Sequence, residues 1–509
     1  MATLGGQLRR SAAAYPDRTA LIFEGHERHY RALNQEVNQG AHALASLGVG
    51  KGHRVALMSA NSDMFIIALY AALKLGAIVV PLNPRSTAHE LRHLLADSGA
   101  GTLLVGAGLD GALQGLDGLD PLPQAVQAVS LAGAPGLADL AALSGGMPSS
   151  EPETDVREDD DAIILYTSGT TGKPKGALFD HHRMLWVGHG MGSIGVGTFD
   201  RMLHVAPMYH CAELVLFVLA GFSVGATHVV LPAFEPAAAA DALARHRITV
   251  FLGVPTMYQL MLGLPDLSDR DFSAWRIGFF GAAPMPPSAV ERLVTALPDI
   301  DFIQLCGQTE GGPAGIYSGP EDVLSRPDAT GRWPIANSEM RLVDLDGNDV
   351  ATGVPGEMII RGETIMKGYW NNAVATQAAL RDGWLHTGDI VIRDESGYLT
   401  IVDRMKDMII TGGRNVYSLE VENALAGHPD VAEVAVVGRI DETFGESIVA
   451  VVTPIPGREV SLEGLRGFAS EFIADYKLPR AMVIRSLPRN QSGKILKHVL
   501  RAELEPTQA

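Results

Sequence analysis

Short apolar runs alternate with longer segments of helical spacing along most of the chain. Near the start, the pattern predicts a strand hairpin around LIFEGHERHY and a helix in RALNQEVNQGAHALASLG that ends at Gly48. RVALMSAN then favours a strand, MFIIALYAALKLG a helix and AIVVPLN another strand. This alternation predicts a parallel sheet with crossover helices.

The same alternation continues after residue 200. The strand-like runs there lie in MLHVAPMYH, ATHVVLP, TVFLGVP, WRIGFFGAAPM and DFIQLCGQTE, and several of them end in a polar or Gly-rich turn. In doubly wound sheets, ligands bind outside the carboxyl ends of the strands. We therefore expect a binding site at these turns.

The pattern changes twice towards the C-terminus. Residues 340–402 contain short alternating runs separated by turn signals, which predicts a small antiparallel β subdomain. Beyond residues 403–406, helix-like and strand-like segments predict an α+β module of about 100 residues. The predicted fold class is therefore α/β: a large N-terminal domain of doubly wound β-α subdomains with the antiparallel subdomain (1–402), a connecting segment (403–406) and a C-terminal α+β domain (407–509).

Two regions give weaker signals. Residues 100–155 are rich in Gly, Ala, Leu and Pro with little periodicity, so we expect a loosely organised surface segment there. The longest apolar stretches, 64–82 and 214–231, are interrupted by charged residues, His or Gly. They favour a buried helix followed by a strand over a transmembrane segment.

Composition and charge narrow the function classes. A length of 509 residues suggests two to four domains at about 150 residues each. The net charge of −18 should repel nucleic acid and anionic membranes, so an anionic substrate needs a local cluster of positive groups. The two cysteines exclude a disulfide framework. Together with an N-terminus without a secretory signal and a C-terminus without a peroxisomal address, they predict a cytoplasmic protein.

The richest stretch for chemistry is IILYTSGTTGKPKG at 163–176. A short apolar run predicts a buried strand, every residue from 167 to 172 is Ser, Thr or Gly, and Lys173 and Lys175 follow. Glycine backbone and hydroxyl groups at a strand end make a concave donor surface for phosphate oxygens. A flexible turn is the ordinary alternative. The stretch is not a Walker A loop, since Thr167 and Pro174 stand where that motif needs Gly and Ser or Thr.

Four other stretches carry candidate chemistry. Glu310 in CGQTEGG suits Mg²⁺, although Thr309-Glu310 could simply be a helix N-cap with an acidic first turn. Asp389 in DGWLHTGDI could accept two ribose hydroxyls, or belong to a common Gly-Asp turn. IVDRMKDMIITGGRNVY could be a charged linker, and a lysine near the chain end, Lys494 in RNQSGKILK, is by itself most often solvated.

Six motifs follow one another in fixed order from 166 to 497: YTSGTTGKPKG, GAAPM, GQTE, WLHTGD, DRMKDMIITGGRNVY and PRNQSGKILK. This ordered set resembles the adenylate-forming superfamily of acyl-CoA synthetases, aryl-CoA ligases, luciferases and peptide-synthetase adenylation domains. The C-terminal half looks most like fatty acyl-CoA and aryl-CoA ligases. The resemblance implies an ATP-dependent carboxylic acid:CoA ligase that forms acyl-AMP and pyrophosphate and then passes the acyl group to CoA, with Mg²⁺ as cofactor.

The resemblance also implies site residues. Thr309 would contact the α-phosphate, Glu310 would bind Mg²⁺ together with Thr170, and Asp389 with Arg404 would bind the ribose. The full implied ATP-binding set is Thr167, Ser168, Gly169, Thr170, Thr171, Gly172, Lys173, Lys175, Gly281, Ala282, Ala283, Cys306, Gly307, Gln308, Thr309, Asp389, Arg404 and Lys494.

The C-terminal domain is implied to be mobile. Lys494 would reach the carboxylate and α-phosphate oxygens during adenylation. Lys406 matches the family's hinge position, about which the domain would swing to bring Gly412, Gly413 and Arg414 to the CoA tunnel. The catalytic set implied is thus Lys494, Thr309, Glu310 and Lys406.

The resemblance also implies an acyl pocket, in which His210 bears on the class of substrate. Its members are His210, Val254, Gly281, Leu305 and Pro313. Peptide-synthetase domains carry an aromatic-Asp pair where this chain has Tyr209-His210, so an amino-acid substrate is disfavoured and a plain carboxylate favoured. His210 could gate the pocket or be a packed core histidine. Cys306 stands where the family usually has an aromatic residue that stacks on adenine.

Other functions remain to be separated from the CoA ligase. An acyl-AMP ligase that loads a carrier-protein phosphopantetheine would also carry GGRN, whereas a luciferase-like monooxygenase has no further support in the chain. A non-enzymatic nucleotide-binding module is disfavoured by the presence of Lys494, Glu310 and Asp389 together. The expected partners are a small carboxylic acid, ATP and CoA, without nucleic acid or a transmembrane segment, and a homodimer is left open.

Overall fold

The computed structural model describes residues 2–114, 125–167, 173–283, 285–313, 315–489 and 495–504. The chain divides into two compact units. The first contains Met1–Met340 and Ile360–Leu385, and the second contains Arg341–Ile359 and His386–Ala509. The predicted hinge at residues 403–406, between domains 1–402 and 407–509, stays a prediction.

The strands are numbered in chain order. The first sixteen are β1 (Thr19–Phe23), β2 (His26–His29), β3 (Arg54–Met58), β4 (Ile78–Leu82), β5 (Thr102–Val105), β6 (Gln127–Ser130), β7 (Ala138–Asp139), β8 (Asp161–Thr167), β9 (Lys175–Asp180), β10 (Arg201–His204), β11 (Thr227–Val230), β12 (Val250–Gly253), β13 (Ile277–Gly281), β14 (Asp301–Gly307), β15 (Gly315–Ser318) and β16 (Trp333–Pro334). The remaining strands are β17 (Ser338–Val343), β18 (Gly356–Gly362), β19 (Gly368–Tyr369), β20 (Leu380–Arg381), β21 (Trp384–Arg393), β22 (Leu399–Arg404), β23 (Ile409–Thr411), β24 (Arg414–Val416), β25 (Val431–Asp441), β26 (Gly445–Pro454) and β27 (Ala481–Ile484).

The helices connect these strands. The α-helices are α1 (Leu4–Ala14), α2 (Tyr30–Ser46), α3 (Asp63–Lys74), α4 (Ala88–Ser98), α5 (Gly111–Gln114), α6 (Leu140–Ser144), α7 (His181–Ser193), α8 (Ala220–Val224), α9 (Pro236–Arg245), α10 (Pro255–Leu262), α11 (Pro287–Ala296), α12 (Pro320–Ser325), α13 (Ala373–Ala379), α14 (Ser418–Ala426), α15 (Leu462–Ala469) and α16 (Lys497–Leu504). A π-helix spans Ala212–Leu219, and 3₁₀ turns span Leu267–Asp269, Thr309–Gly311 and Asp475–Lys477.

Two large sheets build the first unit. The nine-stranded sheet has the order β16-β15-β14-β13-β12-β10-β11-β1-β2 and is parallel from β14 to β1, with antiparallel strands at both ends. The eight-stranded sheet has the order β19-β9-β8-β4-β3-β5-β6-β7 and is parallel from β8 to β7. Both arrangements confirm the predicted doubly wound β-α subdomains.

The core of the nine-stranded sheet is aromatic. The ring of Trp275 packs edge-on to Phe251 at 5.7 Å and parallel to Tyr258 at 6.4 Å between ring centroids. The hydroxyl of Tyr258 donates to the backbone oxygen of Phe279 at 2.9 Å, so the ring is buried without leaving its polar end unpaired. This packing fixes β12 and β13, whose ends carry predicted site residues.

The two remaining sheets are smaller. Strands β17, β18, β20, β21 and β22 form a five-stranded sheet, and β21 is antiparallel to both β20 and β22. Strands β23–β27 form the sheet of the C-terminal module, which has its own apolar core around Ile409, Val436 and Ile448. The predicted antiparallel subdomain and α+β module are thereby confirmed as elements of the fold.

One expectation is wrong. Residues 100–155 are not a loose surface segment throughout, because β5, β6 and β7 extend the eight-stranded sheet within it. All four residues of β5, TLLV, are buried. The run is too short to give a periodic signal, and its burial comes from pairing with β3 some 45 residues earlier in the chain.

The two long apolar stretches have the predicted composition of helix and strand. Residues 64–82 fall on α3 and β4, and residues 214–231 on the π-helix, α8 and β11. Within the described parts of the chain, no helix combines the length and apolar character that crossing a membrane requires.

Candidate active site

The site residues of the first unit lie just after strands of the nine-stranded sheet. Strands β10, β12, β13 and β14 are parallel neighbours, so their carboxyl ends meet at one edge. The segments that follow carry, in chain order, Tyr209, His210, Cys211, Val254, Ala282, Ala283, Gln308, Thr309 and Glu310. The structure therefore brings predicted site residues together at the edge where the sequence predicts a binding site.

The first glycine of GAAPM has a packing reason. Gly281 ends β13 opposite Leu305 of β14, and a Cβ at this position would lie 2.1 Å from the backbone oxygen of Leu305. The next residue, Ala282, has φ +64°, a left-handed conformation that costs energy for a residue with a side chain. Ala282 and Ala283 are both exposed, so the turn presents backbone and methyl groups only.

Thr309 and Glu310 form a 3₁₀ turn directly after β14. The cap of this turn is Gln308, whose side chain makes no capping hydrogen bond, so the interpretation of Thr309 as an N-cap is wrong. Instead, the Thr309 hydroxyl lies 3.1 Å from the Sγ of Cys211. Both Thr309 and Glu310 are half-buried and accessible to a ligand.

Cys211 and His210 form a polar pair beside Thr309. Nδ1 of His210 lies 3.9 Å from Sγ of Cys211. Burial alone would raise the pKa of the Cys211 thiol, but His210 and the Thr309 hydroxyl outweigh it and hold that pKa below its ordinary value. The neighbouring sulfur in turn raises the pKa of His210. The His210 side chain is exposed, so it is not the packed core histidine that the sequence left open.

Glu310 is held by a tyrosine that the sequence did not indicate. The Tyr369 hydroxyl donates to Oε1 of Glu310 at 2.7 Å, and the ammonium of Lys175 lies 5.2 Å from the centroid of the same ring. Burial, and next the charge of Glu310, raises the pKa of Tyr369 far above its ordinary value, so the phenol keeps its proton. Tyr369 thereby links the glutamate to the lysine that follows the Ser/Thr/Gly loop.

The loop itself is described only at its two ends. Thr167 of β8 pairs with Lys175 of β9, so the loop closes an antiparallel hairpin, and Lys173 is exposed. The predicted residues Ser168, Gly169, Thr170, Thr171 and Gly172 lie outside the described residues, as does Lys494. Their roles stay predictions.

The remaining predicted site residues of the first unit differ in exposure. Val254 is half-buried at the start of α10, Leu305 and Cys306 are half-buried on β14, Gly307 is exposed and Pro313 is buried. Nowhere in the described ranges do three His, Cys, Asp or Glu side chains group as a ready metal site. One carboxylate, Glu310, beside the Thr309 hydroxyl fits Mg²⁺, which usually takes one or two protein carboxylates and completes its shell with water and phosphate oxygens.

The second unit brings the two predicted ribose residues together. Asp389 of β21 pairs with Arg404 of β22, and Nε of Arg404 lies 3.0 Å from Oδ1 of Asp389. Asp389 is buried, which keeps its carboxylate fixed on the guanidinium. The pair presents a carboxylate and a permanent cation from adjacent strands.

The predicted CoA residues form a tight turn. Gly412 and Gly413 have φ +56° and +72° and connect β23 to β24, where Thr411 pairs with Arg414. A two-residue hairpin with two positive φ angles explains both glycines without a ligand. The guanidinium of Arg414 lies 4.6 Å from the ring centroid of Tyr476. Lys406, the predicted hinge residue, is exposed, and its neighbour Asp407 is paired with Arg501.

A second, buried set of titratable groups joins the π-helix to β10 and β11. Nδ1 of His204 lies 2.5 Å from Oε1 of Glu213, and its Nε2 lies 2.8 Å from Nδ1 of His228. All three side chains are buried. Burial raises the pKa of Glu213 and lowers that of His228. We call these three residues the buried histidine–glutamate cluster. No pattern in the sequence indicated it, because each member stands within an apolar run.

Comparison with known proteins places this geometry in a family. The AMP-binding enzyme family model matches residues 8–370, and the AMP-binding enzyme C-terminal domain matches residues 420–494. The chain is 35% identical over 512 residues to a feruloyl-CoA synthase of an Amycolatopsis species, covering 98% of both chains. It is 34% identical to a long-chain-fatty-acid–CoA ligase of Mycobacterium tuberculosis, covering 100% of this chain and 99% of the relative.

A solved structure agrees with these relatives. A crystal structure of an anthranilate CoA ligase in complex with anthranoyl-AMP is 28% identical and superposes with a TM-score of 0.88, over 99% of this chain and 97% of that one. The predicted resemblance and fold class are confirmed. The chain belongs to the AMP-binding enzyme family and is an acid–thiol ligase of the AMP-forming acyl-CoA synthetase type.

Proposed function

We propose that this ligase joins a fatty or aryl carboxylic acid to CoA in two steps at the carboxyl-end edge of the nine-stranded sheet. In the first step, a carboxylate oxygen attacks the α-phosphorus of ATP and pyrophosphate leaves. In the second, the CoA thiol attacks the acyl carbonyl, loses its proton, and AMP leaves. The observation that carries the proposal is the convergence of Thr309, Glu310 and Lys175 around Cys211 and Tyr369.

The proposal assigns one part of adenylation to each group of predicted residues. Thr309 is assigned to the α-phosphate, and the hydroxyl-glycine loop 167–172 with Lys173 and Lys175 to the β- and γ-phosphates. Glu310 and Thr170 are the assigned metal contacts, and bound Mg²⁺ would neutralise charge that builds up on the phosphate oxygens. Asp389 and Arg404 are assigned to the ribose, supported by their pairing at 3.0 Å.

The acid is proposed to enter beside His210. This imidazole is exposed, and its pKa is raised by Cys211, so it offers a donor rather than the anion that an amino-acid substrate needs. Val254, Gly281, Leu305 and Pro313 complete the proposed pocket. Family relatives named for ferulate and for long-chain fatty acids support both acid classes as candidates.

A panel of acids tests this function. Pyrophosphate release is measured with hydroxycinnamic, indole and fatty acids, each with and without CoA, and thioester formation is followed in parallel. We expect one acid class to give CoA thioester with free CoA. Acyl-AMP that accumulates and is transferred only to a carrier-protein phosphopantetheine would establish the alternative ligase, and the absence of any acid-dependent pyrophosphate release would refute both.

Lys494 is proposed to act in the first step only. A positioned ammonium stabilises the charge on the attacked phosphate, and rotation of the C-terminal domain about Lys406 would then withdraw it and bring Gly412, Gly413 and Arg414 to the CoA. We expect Lys494→Ala to slow acyl-AMP formation by about 10²- to 10³-fold while supplied acyl-AMP is still converted to thioester. Equal loss in both half-reactions would contradict the rotation.

Two further properties are part of the proposal. A cytoplasmic location rests on the sequence alone, and the choice between monomer and homodimer is open. Fractionation of the producing cells and light scattering of the purified chain measure them directly.

A further inference from the structure

Tyr369 lies at the junction of two site segments that are far apart in the chain. It belongs to β19, whose partner β9 begins with Lys175 at the end of the Ser/Thr/Gly loop. Its hydroxyl reaches Glu310, 59 residues earlier, at 2.7 Å. The side chain therefore touches both the carboxylate and the strand that leaves the loop.

The backbone holds Tyr369 firmly at this place. Tyr369 pairs with Ala177, and its N–H donates to the Thr376 hydroxyl at 2.8 Å. On either side, the N–H of Lys367 donates to Leu178 and that of Trp370 to Gly176, at 2.8 Å and 2.7 Å. Because the neighbouring main chain is bonded on both sides, the ring has a fixed position from which it can orient its neighbours.

The contacts of the ring divide into a polar and a cationic part. The hydroxyl donates to Oε1 of Glu310, which restricts the rotation of the carboxylate. The face of the ring lies 5.2 Å from the Lys175 ammonium, within the range of a cation–π interaction. One side chain thus couples the orientation of an acidic group to the position of a basic one.

We propose that Tyr369 is the positioning residue that aligns Glu310 and Lys175 for a divalent cation bound to the triphosphate. The inference rests on the proposed function of this edge, and it adds a residue that touches neither phosphate nor metal. Without the hydroxyl, the Glu310 carboxylate rotates freely and must be ordered when the metal–nucleotide complex binds. Without the ring, the ammonium of Lys175 also loses its support.

Binding without turnover measures this directly. Mn²⁺ affinity is determined by electron paramagnetic resonance with the non-hydrolysable analogue α,β-methylene-ATP, for wild type, Tyr369→Phe and Tyr369→Leu. Tyr369→Phe loses the hydrogen bond that orients the charged carboxylate, so we expect its Mn²⁺ affinity to weaken about tenfold or more. Tyr369→Leu, which also removes the ring, should weaken binding of the analogue by a further few-fold.

Tyr166→Phe is the matched control. The Tyr166 hydroxyl donates to Oδ2 of Asp97 at 2.5 Å. This is the same kind of bond, made from β8 on the other side of β9 and to a carboxylate of α4. We expect its Mn²⁺ affinity to equal that of wild type, whatever happens to its melting temperature. The Mg²⁺ concentration for half-maximal pyrophosphate release should rise in Tyr369→Phe and stay constant in the control.

Three outcomes decide the matter. Wild-type Mn²⁺ affinity in a folded Tyr369→Phe protein would overturn the role of Tyr369 and leave the proposed function standing. Equal weakening in Tyr166→Phe would show a general loss of structure and would also overturn it. A wild-type protein that fails to bind Mn²⁺ with the analogue would overturn the proposed function itself, and this inference with it.

Discussion

Glu310 and Glu213 are two glutamates on elements that border the same sheet, and their surroundings differ in every respect that matters for chemistry. Glu310 is half-buried, follows β14 and receives a hydrogen bond from a tyrosine. Glu213 is 1% exposed, lies on the π-helix and is bonded to His204 within the buried histidine–glutamate cluster. A carboxylate that a ligand can reach is a candidate functional group. A carboxylate buried in the core, such as that of Glu213, is expected to contribute to the stability of the fold.

The largest effect on stability is expected from a substitution of the buried Glu213. Glu213→Ala leaves the imidazole of His204 buried without its carboxylate, and breaking a buried pair in this way typically costs about 3–5 kcal/mol. We expect a corresponding loss in the free energy of unfolding, measured by chemical denaturation. Glu213→Gln keeps the shape and one oxygen and should lose clearly less. A variant as stable as wild type would show that the cluster is not what holds the π-helix in place.

At the accessible Glu310 we expect a large effect on activity and a small effect on stability. Glu310→Gln still accepts the hydrogen bond of Tyr369 but loses the charge proposed to bind the metal. The rate of acyl-AMP formation should fall by about 10²- to 10³-fold, with little change in melting temperature. Glu213→Gln serves as control for the same exchange of chemical group. Activity that follows melting temperature in both variants would erase the difference between the two glutamates.

A smaller effect is expected on stability at acid pH, where the buried His181 should behave differently from an exposed histidine. Burial lowers the pKa of His181 to about 4, and the ring accepts a hydrogen bond from the Leu4 N–H. Because this pKa lies below the unfolded value of about 6.5, the contribution to stability is complete above that pH and is lost as pH falls towards 4. From pH 7 to pH 5 the loss should be about 2 kcal/mol.

His181→Gln isolates this contribution. The amide cannot take up a proton but can still accept from Leu4. We therefore expect the variant to lose less stability between pH 7 and pH 5 than wild type does, by chemical denaturation at both values. An identical pH dependence would assign the acid sensitivity to other groups.

The sequence predicted the parts of this molecule that are encoded locally. A strand followed by a polar turn can be recognised within ten residues, which is why the sequence predicts Thr309, Glu310 and Asp389 as site residues and places Thr309 and Glu310 at a strand end. The six ordered motifs also indicate the family, because their residues and their order can be recognised in the sequence itself.

Contacts between segments that are far apart in the chain could not be predicted from local patterns in the sequence. Tyr369 meets Glu310 only because β19 pairs with β9, and Cys211 meets Thr309 across 98 residues through the order of strands in the sheet. For the same reason β5 was missed in a region of weak periodicity, since its burial depends on β3. His204 and His228 were hidden because a histidine inside an apolar strand does not reveal which partner it meets.

The end of β13 at Gly281 limits how the proposed acyl pocket can be redesigned. Even a single methyl group there would collide with main chain, and main chain cannot step aside as a flexible side chain can. Variants designed to accept another acid should therefore keep Gly281 and change other residues of the proposed pocket. Val254 is the first choice for a library of substitutions.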